Sequence, residues 1–364
     1  MLKLLKEYDI TSKLLILTFV ISSYAAILPV SYIDDILILF IGLIEIAKVL
    51  KRRNMKVEKS ISIILMLLVF ESVYLVSSLL YNEYYFESLF SYFVLFKMII
   101  ILILSMNCRR IKVDIIKIQQ LLYILSIPNI ICGLYQYIFT YILKGYIPGG
   151  KYELTHGYRL QGFTGHPIYF SLLLLMLVLY LLFYSKSRFR LIVASLCIFM
   201  CLYTWTSFSS VLLIILLICY IFKKCSLLKR YIKQVVIFGI IGASIFLIVS
   251  MNSESYTIRS ISMNETFSNI SFVNFLIGEG FGSFENNGLG EAYFFHLLYE
   301  NGVLGIILFA IPIYKITRAM FIEKNYAGMF FVASFLLNNI INEGYLIPYI
   351  LYMPFLCLVR NNKG

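Results

Sequence analysis

Charge is what this chain has least of. Lys, Arg, Asp and Glu make up 14% of its 364 residues, against about 25% in soluble domains. With 61% hydrophobic residues, an ordinary water-soluble domain is excluded. No Pro-, Gly- or Ser-rich linker, low-complexity tract or shift in composition is present, so a single integral membrane domain over 1–364 is expected. The seven cysteines form no C-x-x-C pair and no zinc spacing. Those inside apolar runs, such as Cys197 and Cys201, read as packing residues, so neither a disulfide framework nor a metal site is expected. No internal repeat is evident, which counts against transporter folds built from repeats. No small-residue cleavage site follows the first apolar run, which is therefore expected to be a retained span and not a signal peptide.

What the chain has in quantity is apolar runs of membrane length. A spanning helix needs about 17–25 mainly apolar residues. By that measure the candidate spans are 12–31, 35–50, 60–81, 88–106, 115–143, 167–184, 190–206, 209–222, 234–251, 291–313, 326–342 and 344–359. The run over 190–222 is too long for one span, and TWTSFSS in its middle reads as a hairpin turn. The expected fold is all-α: a polytopic transmembrane helical bundle of about 12 spans, with two larger outer loops at 144–166 and 252–290. Lys and Arg set the orientation, because short cytoplasmic loops carry their excess. KRRNMKVEK, CRRIKVD, SKSRFR, KKCSLLKRYIK, KITRAMFIEK and the terminal RNNKG then face the cytoplasm, as do both termini. The outer connections hold only Lys144, Lys151, Arg159 and Arg259 of the 31 Lys and Arg. The net charge of +12 thus follows topology. It makes no basic face for nucleic acid, which is not expected as a partner.

Two outer arginines run against that bias. The first lies in KYELTHGYRLQGFTGHP, Lys151 to Pro167, with His156 and His166 and glycines that permit close backbone approach. Arginine suits bidentate phosphate contact, so Arg159 and Arg259 together point to a phosphate or pyrophosphate site. The second outer segment is polar and irregular from Arg259 to Gly278. It continues through GEGFGSF into an apolar helix carrying Glu291, His296, Glu300 and Asn301. Each charged group at mid-membrane costs about 2.5–3.5 kcal/mol on insertion scales, which makes such residues candidates for function. His296 and Glu300 are four apart, share a helical face and read as a pair. Glu291 and Glu300 are half a turn out of phase on a regular helix, so Glu291 is placed at the mouth of the site. Glu71 and Lys97, at mid-span in neighbouring helices, are expected to form an ion pair; Glu45 and Lys48 snorkel near the cytoplasmic face. Glu343, Asn338, Asn339 and Asn342 are further candidates for lining the outer cavity.

These motifs resemble the O-antigen polymerase and ligase family of bacterial membrane glycosyltransferases. Its Arg-x-x-Gly-(Phe/Thr)-x-x-(Asn/His)-Pro element is matched by Arg159, Gly162, His166 and Pro167. Its arginine early in a later outer loop is matched by Arg259, and its Gly-x-Gly-x-x-x-Phe by Gly278, Gly280 and Phe284. The end of the ligase helix motif is matched by Glu300, Gly302 and Gly305. Glu291 and Ala292 stand where ligases have His-Asn, which points to the polymerase branch; Ser209-Ser210 lacks the arginine that members often carry in the outer hairpin.

The resemblance implies transfer of a glycan from undecaprenyl pyrophosphate at the outer face of the plasma (inner) membrane. Lipid-linked repeat units are joined into O-antigen or capsule; an Ile-, Lys-, Tyr- and Asn-rich, AT-rich style of composition leans toward capsule. Partners implied are the lipid-linked oligosaccharide donor and acceptor, membrane lipid, a flippase and a chain-length regulator. Arg159 and Arg259 would stabilise the departing pyrophosphate, and Glu291 or His166 would be the general base. Gly162, Pro167, Gly278, Gly280, His156, His296 and Glu300 would line the substrate site. No cofactor is expected, and with no outward-facing Asp-x-Asp the transfer is expected to be metal-independent. The alternatives are a ligase passing glycan to another acceptor and a non-enzymatic flippase or exporter.

Overall fold

The computed structural model describes residues 10–24, 33–51, 59–81, 115–144, 153–154, 157–204, 206–224, 270–283 and 293–322. It also describes the isolated positions 85, 88–89, 92–93, 95–96, 264 and 268. The expected spans 234–251, 326–342 and 344–359 lie outside the described residues, as do Lys97, Asn338, Asn339, Asn342, Glu343 and the side chains of Glu45 and Lys48.

The described chain is all-α except for one two-residue ladder. In order it forms α1 (Ile10–Ser23), α2 (Ile33–Lys51), α3 (Lys59–Tyr81) and α4 (Ile115–Tyr137), which runs on as a π-helical turn over Ile138–Ile142. Two short strands, β1 (Glu153–Leu154) and β2 (Gly157–Tyr158), pair antiparallel, and a 3₁₀ turn follows over Gly162–Thr164. Then come α5 (Pro167–Phe183), α6 (Arg190–Leu202), α7 (Ser207–Lys224), α8 (Phe272–Ile277) and α9 (Tyr293–Ile322). Among the described residues, two helical stretches, Leu121–Ile142 and Phe295–Lys315, are long and apolar enough to cross a membrane. The turn expected in TWTSFSS is present: α6 stops at Leu202, and α7 begins at Ser207. Thr204 closes the end of α6 by donating its hydroxyl to Cys201 O at 2.7 Å. The stretch before Gly278, read from sequence as irregular, contains α8. Its start is fixed by Ser271, whose Oγ accepts the Asn274 N–H at 3.1 Å, the usual service of an N-cap serine.

The chain divides into two compact units that interleave along the sequence: Met1–Leu15, Asp35–Val113 and Glu254–Gly364 form one, Ile16–Asp34 and Asp114–Ser253 the other. In the first, α9 packs on α8 and α3. Met66, Val69, Phe70, Val73, Val76 and Leu80 leave one face of α3 bare, each between 39% and 76% exposed. Leu67, Leu68, Glu71 and Ser78 are buried on the same helix. Large apolar side chains left exposed while Glu71 and Ser78 are buried run against the order water imposes, and they fit a lipid surround. In the second unit, α5 is the centre. Thirteen of its 17 residues are buried, and α4, α6, α7 and the 3₁₀ turn all lie against it or against one another. A helix apolar on every side is a buried helix.

Candidate functional site

The loop from Arg159 to Pro167 is built onto α4 by two carboxamides. Leu122, Ser126, Asn129, Gly133 and Gln136 recur at helical spacing and form one buried face of α4. Gln136 Oε1 accepts the N–H of Gln161 at 3.1 Å and of Gly162 at 2.9 Å, and its Nε2 approaches Gly162 O at 3.4 Å. Asn129 Oδ1 accepts the Phe163 N–H at 2.9 Å while its Nδ2 donates to Ser23 O at 3.0 Å. Between them Phe170, fully buried, fills the gap. A β-carbon on Gly133 would come within 2.5 Å of its ring, and one on Gly162 within 2.7 Å. Gly162 also holds φ at 54°, so glycine is required there both by conformation and by space.

The same loop takes its outer anchors from the hairpin between α6 and α7. Arg159, half-buried, donates Nε–H to Thr204 O at 2.9 Å, and Leu160 donates its N–H to Tyr203 O at 3.3 Å. The hairpin thus holds Arg159 through a backbone carbonyl, a contact that no side-chain motif announces. Thr164 donates to Gln161 O at 2.6 Å, with His166 O nearby at 3.1 Å. His166 caps α5: its Nδ1 accepts the Ile168 N–H at 3.2 Å, and Pro167 takes the first helical position. That hydrogen bond assigns the neutral ring's proton to Nε2. So placed, His166 donates through Nε2; to accept a proton it would have to surrender the cap.

In the other unit, the glycine-rich turn after α8 serves a break in α9. Gly302 adopts φ 65° and ψ −170°, a region essentially confined to glycine, and divides α9 into two helical segments. The carbonyls freed at the break receive new donors. Glu279 N–H reaches Tyr299 O at 2.9 Å, Gly280 N–H reaches Glu300 O at 3.0 Å, and the Tyr74 hydroxyl lies 2.8 Å from Glu300 O. Gly278, Gly280 and Gly282 all have positive φ, at 89°, 101° and 84°. A β-carbon on Gly278 would fall 1.9 Å from Glu300 O, and one on Gly302 would fall 2.4 Å from Leu276 O. The two backbones therefore touch at a place where only glycine fits.

Glu300 and His296 complete this junction. His296 Nε2 and Glu300 Oε1 are 3.0 Å apart, both side chains are buried, and the same Oε1 accepts the Gly282 N–H at 2.7 Å. Phe281, between the glycines, is 1% exposed and meets Tyr74 and Tyr92 edge-on at 5.4 and 5.8 Å. Its N–H goes to Ser78 Oγ at 3.1 Å, and its carbonyl accepts from Ser88 at 2.6 Å. The N–H groups of Gly278, Gly280 and Gly282 are thus all committed to protein oxygens. This geometry gives these residues a structural office at the helix break. Nearby, Asn301 Nδ2 lies 3.4 Å from Glu71 Oε2, a long contact between two buried side chains. Lys97, the expected partner of Glu71, is outside the described residues.

Of the residues singled out from sequence, Arg159, Gly162, His166 and Pro167 share one loop, and Gly278, Gly280, His296 and Glu300 share the other junction. His156, Arg259 and Glu291 lie outside the described residues. Asn129 and Gln136 were not singled out. Their signal was available: two carboxamides seven apart inside an apolar run. No protein-family model matches the chain, and no curated protein matches its sequence.

Proposed function

We propose that the chain is a multi-pass membrane glycosyltransferase that joins undecaprenyl-pyrophosphate-linked oligosaccharide repeat units at the outer face of the plasma membrane. One observation carries most of this reading. A loop bearing Arg159 and a proton-donating His166 is held by hydrogen bonds to Asn129, Gln136 and the carbonyl of Thr204. Fixed donors of that kind stabilise charge that develops in a transition state without reorganising.

In the proposed step, an acceptor sugar hydroxyl attacks the anomeric carbon of the donor, and the bond from that carbon to the pyrophosphate oxygen breaks. The pyrophosphate leaves with the electron pair, stabilised by Arg159 and, from the sequence, by Arg259. The hydroxyl proton passes to Glu291, the acidic residue the sequence places at the mouth of the site. His166, with its proton on Nε2, is better suited to donate to a phosphate oxygen than to act as base. Twelve spans with both termini cytoplasmic remain part of the proposal.

The test is direct. Purified protein incubated with the lipid-linked repeat unit should produce a ladder of products, and chelators should leave that ladder unchanged. Transfer of one finished glycan to a different acceptor would favour a ligase. Movement of lipid-linked glycan across vesicles without new bonds would favour a flippase.

A further inference from the structure

We infer that Asn129 and Gln136 are positioning residues that set the anion-binding conformation of the Arg159–Pro167 loop from below. The inference rests on the pyrophosphate-binding reading above and names the residues that make it work. Asn129 is 0% exposed and Gln136 7%. Their oxygens take three consecutive loop N–H groups, those of Gln161, Gly162 and Phe163. Three successive N–H groups fixed on one side of a turn dictate the path of the chain on the other. Arg159 leaves the turn two residues before Gln161, and His166 ends it three residues after Phe163. The loop's conformation is therefore written by α4 and not by the loop's own sequence alone.

Asn129 does a second thing. By donating to Ser23 O, it ties the loop's support to the end of α1. Tyr24, the next residue, donates to Leu125 O at 2.5 Å, one residue from the carbonyl that Pro128 leaves without its helical donor. Tyr24 also stacks on Phe163 with ring centroids 5.8 Å apart. Asn129 and the loop at Phe163 are thus braced from α1 as well as from α4, as a preorganised site needs its supporting groups to be.

The experiment uses the full chain in detergent, with hydrogen exchange read on the peptide containing 160–166 and inorganic pyrophosphate as the binding probe. Gln136→Met removes the oxygen while nearly keeping the volume. It should speed exchange at Gln161 and Gly162 by about tenfold or more, while α5 stays protected. Pyrophosphate affinity should fall by a similar factor. Gln136→Glu keeps an acceptor for both N–H groups and should restore slow exchange, which a merely space-filling role would not require. Ile131→Met, at an exposed position on the same helix, should alter neither reading. Unchanged exchange in Gln136→Met, or faster exchange with pyrophosphate affinity intact, would overturn the inference. A wild-type protein that neither polymerises nor binds pyrophosphate would instead remove the functional reading. The exchange readings would then still decide whether the carboxamides hold the loop.

Discussion

At Arg159 the structure makes a distinction that charge alone does not. Its Nε is spent on Thr204 O, so the orientation of the guanidinium plane is fixed from behind. Lysine keeps the charge but has neither an Nε donor at that position nor a planar fork. Arg159→Lys should therefore lower turnover by about 10²–10³ in the ladder assay, the usual loss for one transition-state donor. His166 makes the opposite forecast. Asparagine, like histidine, can accept a backbone N–H as an N-cap. His166→Asn should keep thermal stability and most of the activity, while His166→Ala should cost about 0.5–2 kcal/mol in detergent melts. Loss of all turnover in a stable His166→Asn protein would show that the imidazole itself, and not only its capping contact, takes part in the transfer. The sequence made Arg159, Gly162 and His166 legible because they sit in a polar island. Asn129 and Gln136 escaped because they sit in an apolar run, where a polar residue is easily counted as tolerated.

The broken helix α9 governs what can be changed at the scale of elements. Gly302 combines a backbone conformation closed to other residues with contact against Leu276 O and Gly278 N. Gly302→Ala should cost at least about 1–3 kcal/mol from the strained backbone, read as a lowered melting temperature. Glu300→Ala should also destabilise, because it strips the buried Gly282 N–H of its acceptor at a cost of about 1–3 kcal/mol. Glu300→Gln keeps an oxygen there and should lose less. Equal melting of both Glu300 variants would mean that the oxygen is not what holds the turn. Helix positions were legible from apolar length, since α3, α5 and the pair α6 and α7 all fall within a few residues of the expected runs. The break in α9 was not, because its cause is a meeting of two glycines 24 residues apart, Gly278 and Gly302. Periodicity within one segment carries no trace of such a contact.

For the whole molecule, the proposed topology puts 144–166 and 252–290 outside. Single cysteines at Lys151 and Ser255, in a protein without its native cysteines, should react with an impermeant maleimide in intact cells. Labelling only after lysis at either place would refute the twelve-span arrangement. The two interleaved units were not legible, because both are strongly apolar and no linker-like stretch marks where the chain passes between them. The glycine-rich turn has a further consequence for how such a chain is made. The donors Glu279, Gly280 and Gly282 precede the acceptors Tyr299 and Glu300 by about twenty residues, so the loop to be closed is short and its entropic cost small. As α9 emerges from the ribosome, the groups that satisfy its interruption have already been synthesised. Biogenesis need not hold an open backbone in lipid while it waits for the remainder of the polypeptide.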